Sequence, residues 1–116
     1  MALTGTRGRA GERIAAAYLE WCGLAIVERN TRLAGVEVDL VAADGGTVVV
    51  VEVKTRGRHD WGGAALAVDH VKRERLRRAA HALEQRGARH VRIDVVAIET
   101  DRDGLRLTHH RNAIEE

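Results

Sequence analysis

Two aliphatic runs, Val36-Glu37-Val38-Asp39-Leu40-Val41 and Val48-Val49-Val50-Val51-Glu52-Val53-Lys54, flank the turn Asp44-Gly45-Gly46-Thr47, and this arrangement constrains the fold more than any other part of the chain. Glycine supplies the positive φ that a two-residue hairpin turn needs, so the runs read as antiparallel strands with Asp44 facing Thr47. Strands that are apolar on both faces have to be covered on both faces. Asp39, Glu52 and Lys54 nevertheless sit inside them, and a buried carboxylate is costly unless a cation or hydrogen-bond donors compensate it.

Counting outward from the turn places Asp39 opposite Glu52, with Cβ atoms roughly 4.5–5.5 Å apart, and puts Lys54 on the face of Glu52 two residues on. Two opposed acids with a lysine beside them suggest a metal site. The competing reading is a cross-strand salt bridge near a sheet end, although a bridge uses one acid and one base. A three-residue loop would shift the pairing by one and move the acids apart.

At 116 residues the chain has room for one core, so residues 1–116 read as a single domain. A hydrophobic content of 45% argues against disorder, and with 3% aromatics and no Phe or Pro the core must be built from Val, Leu, Ile and Ala. No apolar run approaches the ~18–20 residues of a membrane span, and the N-terminus lacks the apolar region of a signal peptide. The expectation is a soluble, cytoplasmic protein with no membrane partner. The one cysteine, Cys22, allows no internal disulfide and reads as a small buried hydrophobe. A formal charge of +2 is too small to imply a polyanionic partner by itself; the distribution of charge is more informative.

Residues 1–7 read as a flexible arm. Ala10, Ile14, Ala15, Tyr18, Leu19 and Cys22 recur at helical spacing, predicting a helix over about 8–22 closed by Gly23. Leu24–Glu28 reads as a first strand, followed by the hairpin of Val36–Ala43 and Thr47–Thr55. The segment from Arg56 to Gly63 is a polar, glycine-punctuated loop beside the acids. A second helix should start at Asp69 as N-cap, run to Arg86 and end at Gly87. His90–Glu99 alternates as a further strand, and Gly104–His109 is a short last one. The order αβββαβ(β) implies an α/β fold around a mixed sheet.

Basic residues crowd the second helix and the segment after it: Lys72, Arg73, Arg75, Arg77, Arg78, Arg86, Arg89 and Arg92. For most of them a solvated helix face is sufficient explanation. Lys72 differs, because it falls within the apolar stripe of Val68, Leu76, Ala79 and Leu83; there it could reach a substrate phosphate or snorkel to the surface. Glu12 shares a face with Ala15, Ala16 and Leu19, yet an acid in a first turn is also ordinary complementation of the helix dipole. Glu37 reads either as a further ligand or as an outward polar residue. Asp94 reads as structural, bonded to Arg92 or to a loop amide.

Asp39, followed after a spacer by Glu52-Val53-Lys54, resembles the PD-(D/E)XK nuclease signature. The likeness is closer to one group. Gly11-Glu12, Gly23, Asn30-Thr31-Arg32, Glu37-Val38-Asp39-Leu40-Val41, Val51-Glu52-Val53-Lys54-Thr55-Arg56, Gly62-Gly63-Ala64, Lys72, Arg92-Ile93-Asp94-Val95-Val96 and Asn112-Ala113 resemble the YraN family of small bacterial proteins, over about Gly8 to Ile114. The resemblance implies a restriction-endonuclease-like three-layer α/β fold, similar in core to Holliday-junction resolvases. It also implies Glu12 as a helix-borne acid, Asp39 and Glu52 as metal ligands and Lys54 as the catalytic lysine. Three departures stand out: the proline that names the signature is absent, Val36 replaces a common glycine, and Ile114 replaces a common aromatic. None removes a ligand.

Taken as a nuclease, the chain would bind Mg²⁺ or Mn²⁺ through Asp39, Glu52 and the Val53 carbonyl, with Glu12 available to join them. Lys54 would orient or deprotonate the attacking water and offset phosphoryl charge. Arg56, Arg58 and Lys72 would hold the backbone of a nucleic acid, expected to be DNA and branched or single-stranded, while Trp61 would stack on an unpaired base or pack on its own domain. The junction-cleaving relatives in fold act as symmetric dimers, so the resemblance allows a homodimer, although no surface stripe in the sequence specifies one. The rival reading from another class is a nucleic-acid-binding or adaptor protein that keeps the nuclease fold without cutting. A third takes His90, His109 and His110 as a transition-metal site, against which stands the alternation of adjacent strand residues.

Overall fold

The computed structural model describes residues 2–57 and 69–115, with side-chain surroundings from residue 8 onward. The elements run α1 (Ala2–Trp21), β1 (Ala25–Leu33), β2 (Val36–Asp44), β3 (Thr47–Arg56), α2 (His70–Gln85), β4 (His90–Asp101) and β5 (Gly104–His110). One mixed sheet carries the strands in the order β1-β2-β3-β4-β5. Among the described residues only β3 and β4 pair in parallel, and α2 lies in the crossover that a parallel pair requires. Among the described residues no helix is long and apolar enough to cross a membrane.

The sheet separates two cores. On one face Ala15, Ala16 and Leu19 of α1 cover Leu40, Ala42, Val49, Val51, Val96 and Ile98. On the other, Leu76, Ala79 and Ala80 of α2 cover Val36, Val38, Val41, Val50, Ile93 and Val95, with Ile114 from the chain end. Consecutive residues Val48 to Val51 of β3 alternate between the two cores, which is why that run has no polar side. The architecture is α/β in three layers, consistent with a restriction-endonuclease-like core.

Turn chemistry sets the registers. Asp44 pairs with Thr47 as the glycine turn requires, with Gly45 at φ +59°. The β1–β2 connection is equally tight, through Ala34 and Gly35 at φ 52° and 78°, and β1 continues to Leu33, beyond the Glu28 end that alternation predicts. Its alternation is broken by a bulge between Ile26 and Glu28 and by Asn30, held at φ 50°. Asp69 caps α2 by accepting from the Lys72 N–H at 2.8 Å, as expected. The α1 backbone is helical from Ala2, ahead of the Gly8 start that spacing predicts. Cys22 is exposed, which corrects its assignment as a buried hydrophobe: the helix ends at Trp21, itself 90% exposed, and the last turn overshoots the core.

Close approach of α1 to the sheet depends on Gly11. A Cβ there would lie 2.6 Å from Thr55 Oγ1. Alanine would gain ~1 kcal/mol of helix propensity but incur an overpacking cost of ~1–3 kcal/mol. Gly11→Ala is therefore expected to lower the melting temperature, and adding Thr55→Ala to recover it. A double variant no more stable than the single one would contradict this contact.

A candidate metal centre at the open end of the central hairpin

The β2–β3 ladder is closed from Asp44 and Thr47 as far as Leu40 and Val51 and stops there. Asp39 and Glu52, the next pair outward, are not ladder partners as the turn count predicts. The reason is local. Val36 and Val38 face the α2 core but Leu40 and Ala42 the α1 core, so β2 changes phase at Asp39. In place of a ladder bond, the Val53 N–H donates to Asp39 Oδ2 at 2.7 Å. The carboxylate thus takes over a backbone donor and pins the mouth of the hairpin.

The two acids still meet. Glu52 is 6% exposed although it carries a carboxylate, and Asp39 is half-buried. Burial is the main cause that pushes the Asp39 carboxyl above its ordinary value; the Val53 N–H, Lys72 and a side-chain hydrogen bond with Glu52 pull the other way. Burial likewise raises Glu52, the charge of Asp39 raises it further, and Lys72 and Lys54 moderate the effect. Two carboxyl groups that share one low-dielectric place resist ionising together, so the fold creates a local demand for positive charge.

Lys72 meets part of that demand. Its Nζ lies 3.1 Å from Glu52 Oε2. Its place in the apolar stripe of α2 is therefore explained by this acid, and the side chain, 36% exposed, neither snorkels away nor packs as a hydrophobe. Lys54 acts on Glu52 through its charge. Glu12 approaches from α1: burial raises its carboxyl, a hydrogen bond from the Asn30 side chain lowers it, and Asp39 is near enough to raise it. Asn30 has no assigned role in the sequence beyond its part in the resemblance. Its signal is that asparagine tolerates the left-handed backbone adopted there.

The remaining expected site residues divide. Glu37 is exposed and paired with Arg32 at 2.9 Å, so it is an outward polar residue whose charge reaches Asp39 without its side chain joining the acids. Arg56 ends β3 with its Nε buried and unbonded among the described residues, and its carbonyl accepts from Thr100 Oγ1 at 3.4 Å. Arg58 and Trp61 lie outside the described residues, as does Val68. Among the described residues no three His, Cys, Asp or Glu side chains gather as a metal cage. The donor set is a carboxylate pair, with Glu12 standing off beside Asn30. Mg²⁺ suits such a set, since it takes one or two carboxylates and keeps several waters.

His109 belongs to a different group. Its Nε2 lies 2.8 Å from Asp94 Oδ2 and its Nδ1 3.1 Å from Tyr18 Oη, so it does not join His90 or His110 in a metal site. Asp94, fully buried, also accepts from Arg92 and from the Asn112 N–H, the two kinds of partner expected for it.

Comparison with known proteins places this geometry. The model described as Uncharacterised protein family UPF0102 matches residues 11–98, a span that holds Glu12, Asp39, Glu52, Lys54 and Lys72. The chain belongs to UPF0102. The YraN proteins that its motifs resemble are members of the same family. A UPF0102 protein of Beutenbergia cavernae is 46% identical over 110 residues, covering 92% of this chain and 93% of its own. One from Geobacter sulfurreducens is 46% identical over 112 residues, covering 93% and 88%. One from Herminiimonas arsenicoxydans is 44% identical over 110 residues, covering 93% and 86%. UPF0102 membership therefore extends over nearly the whole chain.

The raised acids fix a pH dependence. Their ordinary values are 3.8 and 4.5, and in the folded chain both titrate higher. Above those values the native state holds protons that the unfolded chain has released, so stability falls as pH rises through the raised values. Asp44, lowered by Arg92, acts with opposite sign and only towards lower pH, where its protonation removes stability. In chelator-containing buffer the urea midpoint is expected to fall as pH increases above about 4.5, and Asp39→Asn should flatten that fall. Parallel pH profiles for wild type and Asp39→Asn would show that the acids are not coupled.

Proposed function

We propose that this UPF0102 protein is a divalent-cation-dependent nuclease that hydrolyses phosphodiester bonds of DNA, with branched or single-stranded DNA as the substrate. The observation that supports it is the Asp39–Glu52 pair: a half-buried and a buried acid, both raised by burial and Glu52 further by the charge of Asp39, with Lys72 against Glu52 at the open end of a hairpin. Asp39, Glu52 and the Val53 carbonyl would hold Mg²⁺ or Mn²⁺, whose chemistry there is to polarise a phosphoryl oxygen and to lower the pKa of an attacking water.

The protein's own groups would do the rest. The Val53 N–H keeps Asp39 oriented towards Glu52. Lys54, on the Glu52 face, would orient the water and offset charge that develops on the phosphoryl oxygens. Lys72 would exchange Glu52 for a substrate phosphate, a move that its partly exposed four-carbon stem permits. Glu12, whose carboxyl is raised by burial and by the charge of Asp39, would accept a proton from the attacking water.

One observation favours a second reading, a nucleic-acid-binding adaptor that does not cut: the Lys72–Glu52 ion pair already supplies one buried acid with a cation. A cleavage panel separates the two. Single-stranded, duplex, flap and four-way-junction DNA are incubated with wild type and with Lys54→Met in Mg²⁺ and in Mn²⁺. The nuclease reading expects metal-dependent turnover on at least one substrate and a loss of ~10²–10³-fold in Lys54→Met. Binding without turnover on every substrate would replace it with the adaptor.

A further inference from the structure

Between α2 and the β1–β2 turn lies a cleft of about 380 Å³ whose walls carry Arg32 and Glu37 on one side and Lys72, Arg75 and Arg78 on the other. We propose that this cleft is the track for one strand of nucleic acid, binding the phosphates on one side of the bond that is cut. The position of the cut bond rests on the nuclease reading above; the binding of the strand does not.

The track follows from helix spacing. Lys72, Arg75 and Arg78 recur every three residues, and each step advances about 4.5 Å along the helix axis. The first of them is bonded to Glu52, so the row begins at the acid pair and leads away from it. Arg77, on the same helix, is occupied by Glu74 and by the Glu115 carbonyl. Arg75 and Arg78 have no carboxylate partner among the described residues, and both are exposed. Arg32 faces them and is held by Glu37 at 2.9 Å, a bond between two exposed groups that a phosphate can displace.

The lining selects the ligand. Small-molecule sites are mostly apolar with a few polar anchors, but Val36 is the one large apolar residue here. Guanidinium forks match phosphate oxygens in pairs, and a row of them matches a repeating phosphate. The volume is near the lower end of the ~300–1,000 Å³ of small-ligand sites, a size that suits one sugar-phosphate backbone. Phosphate contacts made by such a row carry no sequence information, so the binding it supplies is electrostatic and independent of sequence.

The test is fluorescence anisotropy of the full chain with a short labelled oligothymidylate in chelator, where no cutting occurs. Wild type is expected to bind, and Arg75→Gln/Arg78→Gln to lose about tenfold or more in affinity. The slope of log affinity against log salt should also shrink by ~0.7 for each phosphate that is no longer neutralised. Arg75→Lys/Arg78→Lys should retain the slope, Arg89→Gln, outside the cleft, should match wild type, and Asp39→Asn should keep the slope of wild type. An unchanged affinity and slope in the glutamine variant overturns the track, as does wild type that binds no oligonucleotide. Duplex that competes as well as single strand overturns the single-strand assignment. Slope loss in a protein that cuts nothing leaves the track and removes the nuclease; cleavage with an unchanged slope does the reverse.

Discussion

Asp39→Ala is expected to abolish metal-dependent cleavage while the protein remains folded. The expected loss exceeds ~100-fold, because groups that merely support a metal ligand already cost ~10–100-fold when removed. Stability should change little, since two effects oppose each other. The Val53 N–H loses the acceptor that it reaches at 2.7 Å, a loss of ~1–3 kcal/mol when the donor stays dry. Against that, Glu52 loses the neighbouring negative charge that raises its carboxyl. The mouth of the hairpin is also half-open, which lets water satisfy the freed N–H. Circular dichroism melts and single-turnover cleavage on the same preparations check both halves. Cleavage that survives the substitution in a clean preparation would assign the chemistry elsewhere.

The second large effect falls outside the proposed site. Asp94→Ala is expected to destabilise the chain by ~3–5 kcal/mol, the range for breaking a buried ion pair by removal of one partner. Asp94 is fully buried and accepts from Arg92 Nε at 3.0 Å, Arg92 Nη2 at 3.3 Å and the Asn112 N–H at 2.9 Å, with His109 Nε2 at 2.8 Å. Alanine takes this acceptor from all of them, and Asp94 itself sits where water does not reach. Arg92 keeps only Asp44, at 2.8 Å. The damage should spread to the C-terminal end, because Asn112 holds a turn at φ 51° and the next residue bonds Ile93 through its N–H, seating Ile114 in the core. A urea melt measures the loss, and cleavage per folded molecule should match wild type at low temperature. Full stability together with lost cleavage would move Asp94 into the active site.

Much of this was legible in the sequence where a local rule decides the outcome. The glycine turn at 45–46 sets the Asp44–Thr47 register, and Asp69 caps α2 through a bond to a residue only three positions on. Asp94 could be read as structural because a carboxylate inside an apolar strand needs donors and Arg92 lies two residues away. The illegible parts were set by tertiary contact. The ladder opens at Asp39 because β2 must present Val38 to one core and Leu40 to the other, which no alternation pattern states. The extension of β1 passes through Asn30 and the Ala34-Gly35 turn, where the favoured Asn-Gly or Asp-Gly pair is missing. The partner of Lys72 is distant in sequence, so spacing marks the lysine as misplaced without naming Glu52.

The same contrast applies to the site. Residue types mark Asp39, Glu52 and Lys54 as one group, although the hairpin count makes Asp39 and Glu52 ladder partners and the ladder stops one pair short of them, while the cleft of Arg32, Arg75 and Arg78 exists only because the β1–β2 turn packs beside α2. Basic residues on a helix read as a solvated face until a second wall is known.

Calorimetric titration of Mg²⁺ and Mn²⁺ into the metal-free chain tests the central claim most directly, that the acid pair is a cation site. The expected result is one saturable site in wild type, accompanied by proton release near the raised carboxyl values, and its loss in Asp39→Ala. Equal binding by wild type and Asp39→Ala, or none by wild type under conditions in which it remains folded, would contradict it.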